Sequence, residues 1–138
     1  MSKNLELGGF GEWLAQREFE RLGYLVTIPT QKMQGDLKVI DPETGDVKLV
    51  EIKTAKRSQC GWQFCLNKRE GNHYKTKCTY ANITILQLVG DSGLVVAYAI
   101  PSALLEGVKG TSFRRITPTK RNRWAGYVSD YRIFGGVM

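Results

Sequence analysis

Two short apolar stretches, Gly35-Asp36-Leu37-Lys38-Val39-Ile40 and Lys48-Leu49-Val50-Glu51-Ile52-Lys53, flank the turn sequence Pro42-Glu43-Thr44-Gly45. A turn between two β-prone runs predicts a hairpin, with strands over 35–41 and 47–53. The nearly continuous apolar character of both strands predicts a sheet covered on both faces, or nearly so. Successive side chains on a strand point to opposite faces, so Glu51 and Lys53 share a face with Ile52 behind them. On a helix the same triplet would diverge by about 200°. Asp36, opening the first strand, comes to lie beside the end of the second. Two carboxylates and an ammonium therefore converge at one sheet edge.

Outward from this hairpin the chain alternates helical and extended patterns. Gly8 to Gly23 predicts a helix closed by glycine, with Leu7, Phe10, Leu14, Ala15, Phe19 and Leu22 on an apolar stripe. Tyr24 to Ile28 is β-rich and stops at Pro29. Residues 54–60 form a polar, basic loop and 61–66 a short strand, while 68–79 fits either a helix or a broken segment. Asn82 to Val89 and Leu94 to Ile100 predict two strands around the turn Gly90-Asp91-Ser92-Gly93, with a short helix after Pro101 and a last strand over Tyr127 to Phe134. The expected class is α/β, a central mixed sheet flanked by helices. At 138 residues the chain suits one domain, with a core over about 8–105 and a basic C-terminal extension over 106–138.

The carboxylates sit among Leu37, Val39, Ile40, Leu49, Val50 and Ile52. Charges in such a setting are costly unless they are paired or hold a metal ion. A salt-bridged, solvated strand face is the plain alternative. Mg2+ takes oxygen ligands and keeps several waters. Asp36 and Glu51 can supply two oxygens and the Ile52 backbone carbonyl a third. The metal would polarise a phosphate and activate a water. Lys53 would orient that water or stabilise charge in the transition state. This combination predicts metal-dependent cleavage of a phosphodiester, with Mn2+ able to replace Mg2+.

Charge distribution agrees. Residues 1–52 carry 6 Lys+Arg against 9 Asp+Glu, and residues 53–138 carry 14 against 4, so a net charge of +10 follows the acidic half. A polyanionic partner, DNA, explains that split better than a basic surface made only for solubility. Lys56 and Arg57 follow the site closely and would grip phosphates beside the cut. Lys68, Arg69 and Lys75 continue the basic segment. Residues 109–124 add Lys109, Arg114, Arg115, Lys120, Arg121 and Arg123 without an acid and end in Trp124, which suits backbone contact plus base stacking. Gln63 is either a helper at the site or, more simply, a surface glutamine.

Other classes find less support. No apolar run approaches the ~20 residues that span a bilayer, and the N-terminus lacks the apolar core of a signal peptide. A cytoplasmic protein with reduced thiols is expected, from a prokaryotic, viral or mobile-element source. Cys60, Cys65, His73 and Cys78 form C-x4-C-x7-H-x4-C, a conceivable zinc set. Structural zinc pairs usually sit closer in sequence, so small buried thiols are the expected reading. His73 is read as structural.

Taken in order, Gly8-Gly9-Phe10-Gly11-Glu12-Trp13-Leu14-Ala15, Leu22-Gly23-Tyr24-Leu25-Val26, Gly35-Asp36-Leu37 and Val50-Glu51-Ile52-Lys53-Thr54 resemble the PD-(D/E)XK nuclease superfamily, which includes restriction enzymes and archaeal-type Holliday junction resolvases. Gly35 stands where the motif's name has proline. The resemblance implies a restriction-endonuclease-like core, Asp36 and Glu51 as metal ligands, Lys53 as the catalytic lysine, and Glu12 as an accessory acid from the first helix. Glu18 lies nearer the middle of the helix's apolar stripe and is the alternative inward acid; Gly11 and the motif favour Glu12. A compact chain with no added recognition domain favours a structure-selective resolvase making mostly backbone contacts; a sequence-specific homing or restriction-type endonuclease and a non-catalytic DNA-binding protein on a nuclease-like fold are the alternatives. Two cuts need two sites, so a homo-oligomer, most simply a dimer, is expected.

Overall fold

The computed structural model describes residues 3–29, 35–70, 73–76 and 81–134, and only the backbone of residues 3–6, 67–70 and 73–76. One helix, α1 (Lys3–Arg21), precedes ten strands: β1 (Leu25–Thr27), β2 (Leu37–Ile40), β3 (Val47–Lys56), β4 (Trp62–Cys65), β5 (Asn67–Glu70), β6 (His73–Thr76), β7 (Ile83–Val89), β8 (Val95–Pro101), β9 (Gly110–Phe113) and β10 (Val128–Ser129). Short 3-10 helices span Ser102–Leu105 and Ala125–Tyr127.

Six strands form a mixed sheet in the order β1-β2-β3-β7-β8-β10. Only the β3–β7 contact is parallel, with Glu51 beside Thr84, Lys53 beside Leu86 and Thr54 beside Gln87. The α/β architecture expected from the sequence is present. The predicted hairpin is β2–β3, antiparallel, pairing Leu37 with Val50 and Ile40 with Val47. Its turn is closed by Gly45 N–H donating to Asp41 O at 2.8 Å, with Gly45 at φ 77.

Both sheet faces are covered, which is why β3 and β7 lack a clean polar alternation. On one face Val50, Ile52, Leu37, Val39, Ile85 and Ala97 pack against Ala15 and Phe19 of α1. The helix approaches through a row of buried residues four apart, Gly11, Ala15 and Phe19. Phe10 and Trp13 are 41% and 51% exposed, so the stripe expected to include Phe10 is rotated toward the smaller residues. Gly11 and Ala15 let the helix and sheet backbones come close, and Phe19 fills the core beyond them. The helix ends in a Schellman motif: Tyr24 N–H donates to Phe19 O at 3.1 Å and Gly23 N–H to Glu20 O at 2.9 Å. Gly23 has φ 91, and the Phe19 and Tyr24 rings meet across the cap at 6.4 Å.

The opposite face, with Ala55, Leu86, Leu88, Tyr98 and Ile100, is covered by Trp62, Phe64 and Phe113. These come from a two-stranded antiparallel sheet, β4–β9. β9 went unforeseen, since Gly110-Thr111-Ser112-Phe113 carries a single buried apolar residue. Residues 68–79 hold no helix among those described; β5 and β6 form a second small antiparallel sheet. The last strand is Val128–Ser129 only, and Tyr131, Ile133 and Phe134 beyond it enter the core. No helix among the described residues is long and apolar enough to cross a membrane.

Candidate active site

β2 begins only at Leu37, opposite Val50, while β3 runs on to Lys56, which leaves the β3 edge open beyond Val50. Asp36 fills that gap. Its N–H donates to Val50 O at 2.9 Å, and its Oδ2 accepts the Ile52 N–H at 2.7 Å. Gly35 makes the approach possible: it has φ +92, and a Cβ there would lie 2.9 Å from Val50 O. In a strand the N–H and C=O of one residue point to the same edge. The Ile52 carbonyl therefore points to the edge that Asp36 occupies.

Glu51 and Lys53 leave β3 on the face opposite α1. Glu51 is 5% exposed and lies beside Thr84 in register; the Thr84 hydroxyl is in turn bonded to that of Ser102 at 2.9 Å. Lys53 is half-buried. Glu12 reaches the site from the helix layer. Partial burial raises its carboxyl above the ordinary range, and the negative charge of Asp36 and a hydrogen bond to Asp36 raise it further. Glu18 instead forms an ion pair with Arg21 at 2.8 Å on the helix surface. Of the two helix acids, Glu12 is the one brought to Asp36.

The donors at this edge are hard oxygens suited to Mg2+. Among the described residues no group of three or more His, Cys, Asp or Glu side chains is arranged as a metal cage. Two carboxylates and a carbonyl match an ion that keeps several of its waters.

The basic candidates fall into two groups. Arg57 and Arg114 line one depression, and Arg114, Arg115, Arg121 and Arg123 line a neighbouring groove of about 660 Å³. Arg114 belongs to both, so segments 57 residues apart join into one basic strip. Arg57 also pairs with Asp91 at 3.0 Å, both largely exposed, a contact a phosphate can displace. Lys56 and Lys120 are exposed outside these depressions. The side chains of Lys68, Arg69, Lys75 and His73, and all of Cys78, lie outside the described residues.

Two expectations change. Trp124 is 3% exposed, its indole donates to Thr111 Oγ1 at 3.0 Å, and Arg123 covers its ring at 4.3 Å; it is a core residue with no free face for a base. Cys60 and Cys65 are exposed thiols rather than buried ones, because Cys65 sits on the outer face of β4, opposite Trp62 and Phe64. Gln63 shares that outer face, as a surface glutamine.

Sequence reasoning missed Gln87. It is fully buried, donates from Nε2 to Gly11 O and Thr54 Oγ1, both at 3.0 Å, and accepts from the Tyr131 hydroxyl at 2.7 Å. The available signal was a lone glutamine inside Ile83-Thr84-Ile85-Leu86-Gln87-Leu88-Val89.

Neither a family model nor a curated protein matches the sequence. Among solved structures, the chain is similar to a bacterial homing endonuclease, I-Ssp6803I, with a TM-score of 0.64 and 15% identity over 92% of this chain and 89% of that one. The fold is therefore nuclease-like.

Proposed function

We propose that this protein is a Mg2+-dependent DNA endonuclease of the PD-(D/E)XK type that cuts at a defined sequence. The observation that carries the reading is the placement of Asp36 against the Ile52 amide at 2.7 Å, with Glu51 and Lys53 on the same strand and Glu12 alongside. The likeness to a homing endonuclease favours a sequence-specific substrate over a branched one.

In this reading Asp36, Glu51 and the Ile52 carbonyl would hold the metal, which would supply Lewis acidity to the scissile phosphate and its water. Lys53 faces the phosphate with a charge that stabilises the crowded anionic transition state. Glu12, hydrogen-bonded to Asp36, would hold that carboxylate in place at the site. The basic strip from Arg57 through Arg114 to Arg123 holds the flanking backbone, a contact that positions the duplex without reading bases. Lys56 and Lys120 would add to that contact, Lys68, Arg69 and Lys75 are assigned to the DNA from the sequence alone, and two copies acting as a dimer would supply the two cuts of a duplex break.

The test is cleavage of a randomised duplex library and of a synthetic four-way junction, with Mg2+ or EDTA. Mg2+-dependent enrichment of one cut sequence supports the proposal. Junction cutting without sequence preference makes the protein a resolvase. Tight binding without cutting of either substrate makes it a DNA-binding protein on a nuclease-like fold.

A further inference from the structure

We propose that Gln87 is a positioning residue for this site: through Gly11 and Thr54 it fixes α1 against β3, and so fixes Glu12 relative to Lys53, with Tyr131 locking the amide in place. The inference rests on the proposed nuclease reading for its functional meaning and on geometry for its mechanism.

Every polar atom of the Gln87 amide has a buried role. Both N–H donors are used, one on Gly11 O and one on Thr54 Oγ1, each at 3.0 Å. The amide can face only one way, because the Gly11 carbonyl accepts and cannot donate, so Nε2 must meet it. Oε1 then points to Tyr131, whose hydroxyl donates to it at 2.7 Å. Burial, with a smaller contribution from the Glu18 charge, pushes the Tyr131 phenol up, so it keeps the proton it donates.

The positions held are telling. Gly11 immediately precedes Glu12, and Thr54 immediately follows Lys53. Contact at this range needs glycine, since a Cβ on residue 11 would overlap Thr54 Oγ1 and lie 3.0 Å from Gln87 Nε2. Ala97 stands beside Gln87 in register on β8. Tyr131 is held in turn: its ring meets Phe19 edge-on at 5.7 Å, its N–H donates to Ser129 Oγ at 3.0 Å, and its φ of 76 makes it the one described non-glycine residue in the left-handed region.

A leucine at 87 would fill the same core. Apolar contact is non-directional, whereas three hydrogen bonds from one amide fix distance and angle together. Catalysis is sensitive to such placement, with about 1 Å of misplacement costing up to roughly a hundred-fold in rate.

The test compares wild type with Gln87→Met, an apolar near-isostere, and Tyr131→Phe, which removes only the remote hydroxyl. Two readouts are taken: steady-state cleavage of the selected duplex, and amide hydrogen exchange of the metal-free protein. The inference predicts that Gln87→Met lowers kcat roughly ten- to a hundred-fold with KM nearly unchanged, and speeds exchange over residues 8–16 while β7 and β8 keep their protection. Tyr131→Phe should move both readouts in the same direction by less, and it carries the test if Gln87→Met does not fold. A folded Gln87→Met with wild-type kcat and wild-type exchange over 8–16 overturns the inference, as does a loss of Tm with kcat per folded molecule unchanged. If wild type cuts nothing, the nuclease reading fails, and exchange alone still decides whether Gln87 holds the helix.

Discussion

Replacing Gly11 with alanine sets two effects against each other within one residue. Alanine is the better helix former, by about 1 kcal/mol in a helix interior. At position 11 its methyl would overlap Thr54 Oγ1 and lie 2.8 Å from Thr54 Cβ and 3.0 Å from Gln87 Nε2. Overpacking of a tight site costs about 1–3 kcal/mol. Displacing Gln87 from Gly11 and Thr54 leaves buried polar groups unpaired, at about 1–3 kcal/mol more. The net expectation is a loss of about 3 kcal/mol, or roughly 10 °C in Tm for a domain of this size. Gly8 and Gly9 lie on the same helix with nothing within 4 Å of an added Cβ. Their alanine variants should gain stability, by about 0.5–1 kcal/mol each. Thr54→Ala removes the overlapping oxygen but not the neighbouring Cβ, so the double variant recovers part of the loss. Urea denaturation of the metal-free variants measures all of this. A Gly11→Ala protein as stable as wild type would refute the close helix–strand contact and the clamp built on it.

Other outcomes follow from the same geometry. The Glu12 carboxyl is raised above its ordinary value of 4.5 by burial first and by Asp36 second. A raised acid stabilises the fold below its unfolded value, and that contribution is lost as pH rises through the folded one. Glu12→Gln should therefore flatten the decline of metal-free Tm as pH rises above 4.5, and an unchanged pH slope would contradict the assignment. Gly35→Ala places a Cβ 2.9 Å from Val50 O at φ +92; the strain costs about 1–3 kcal/mol, shifts Asp36, and should lower both Tm and Mg2+-dependent cleavage. Arg114→Ala should reduce the log–log salt dependence of DNA binding by about 0.9, measured by fluorescence anisotropy across salt; an unchanged slope would remove the basic strip from the interface.

Much of this molecule could be read from its sequence where the signal is local. The β2–β3 hairpin is written in two β-prone runs and a turn, the helix end in Gly23, and the β7–β8 pair in a long apolar run around a glycine turn. The placement of Asp36, Glu51 and Lys53 on this hairpin follows because strand alternation is a rule of short range. Three things were hidden by long-range packing. β9 has one buried apolar residue and exists because it can pair with β4 across the sequence. Trp124 looked like a base-stacking residue beside arginines, yet its partner Thr111 and its place in the core are set by tertiary contacts. The rotation of α1 that exposes Phe10 depends on how closely Gly11 can approach Thr54, which no helical wheel contains.

The central claim is that Lys53 acts in phosphodiester cleavage at a metal site built from Asp36 and Glu51. The direct measurement is Mg2+-dependent cleavage of the selected duplex by wild type and Lys53→Ala, with binding affinity followed on the same DNA in Ca2+. The account predicts near-equal binding and cleavage slowed by at least about a hundred-fold in the variant. Equal cleavage rates in the two proteins would contradict it.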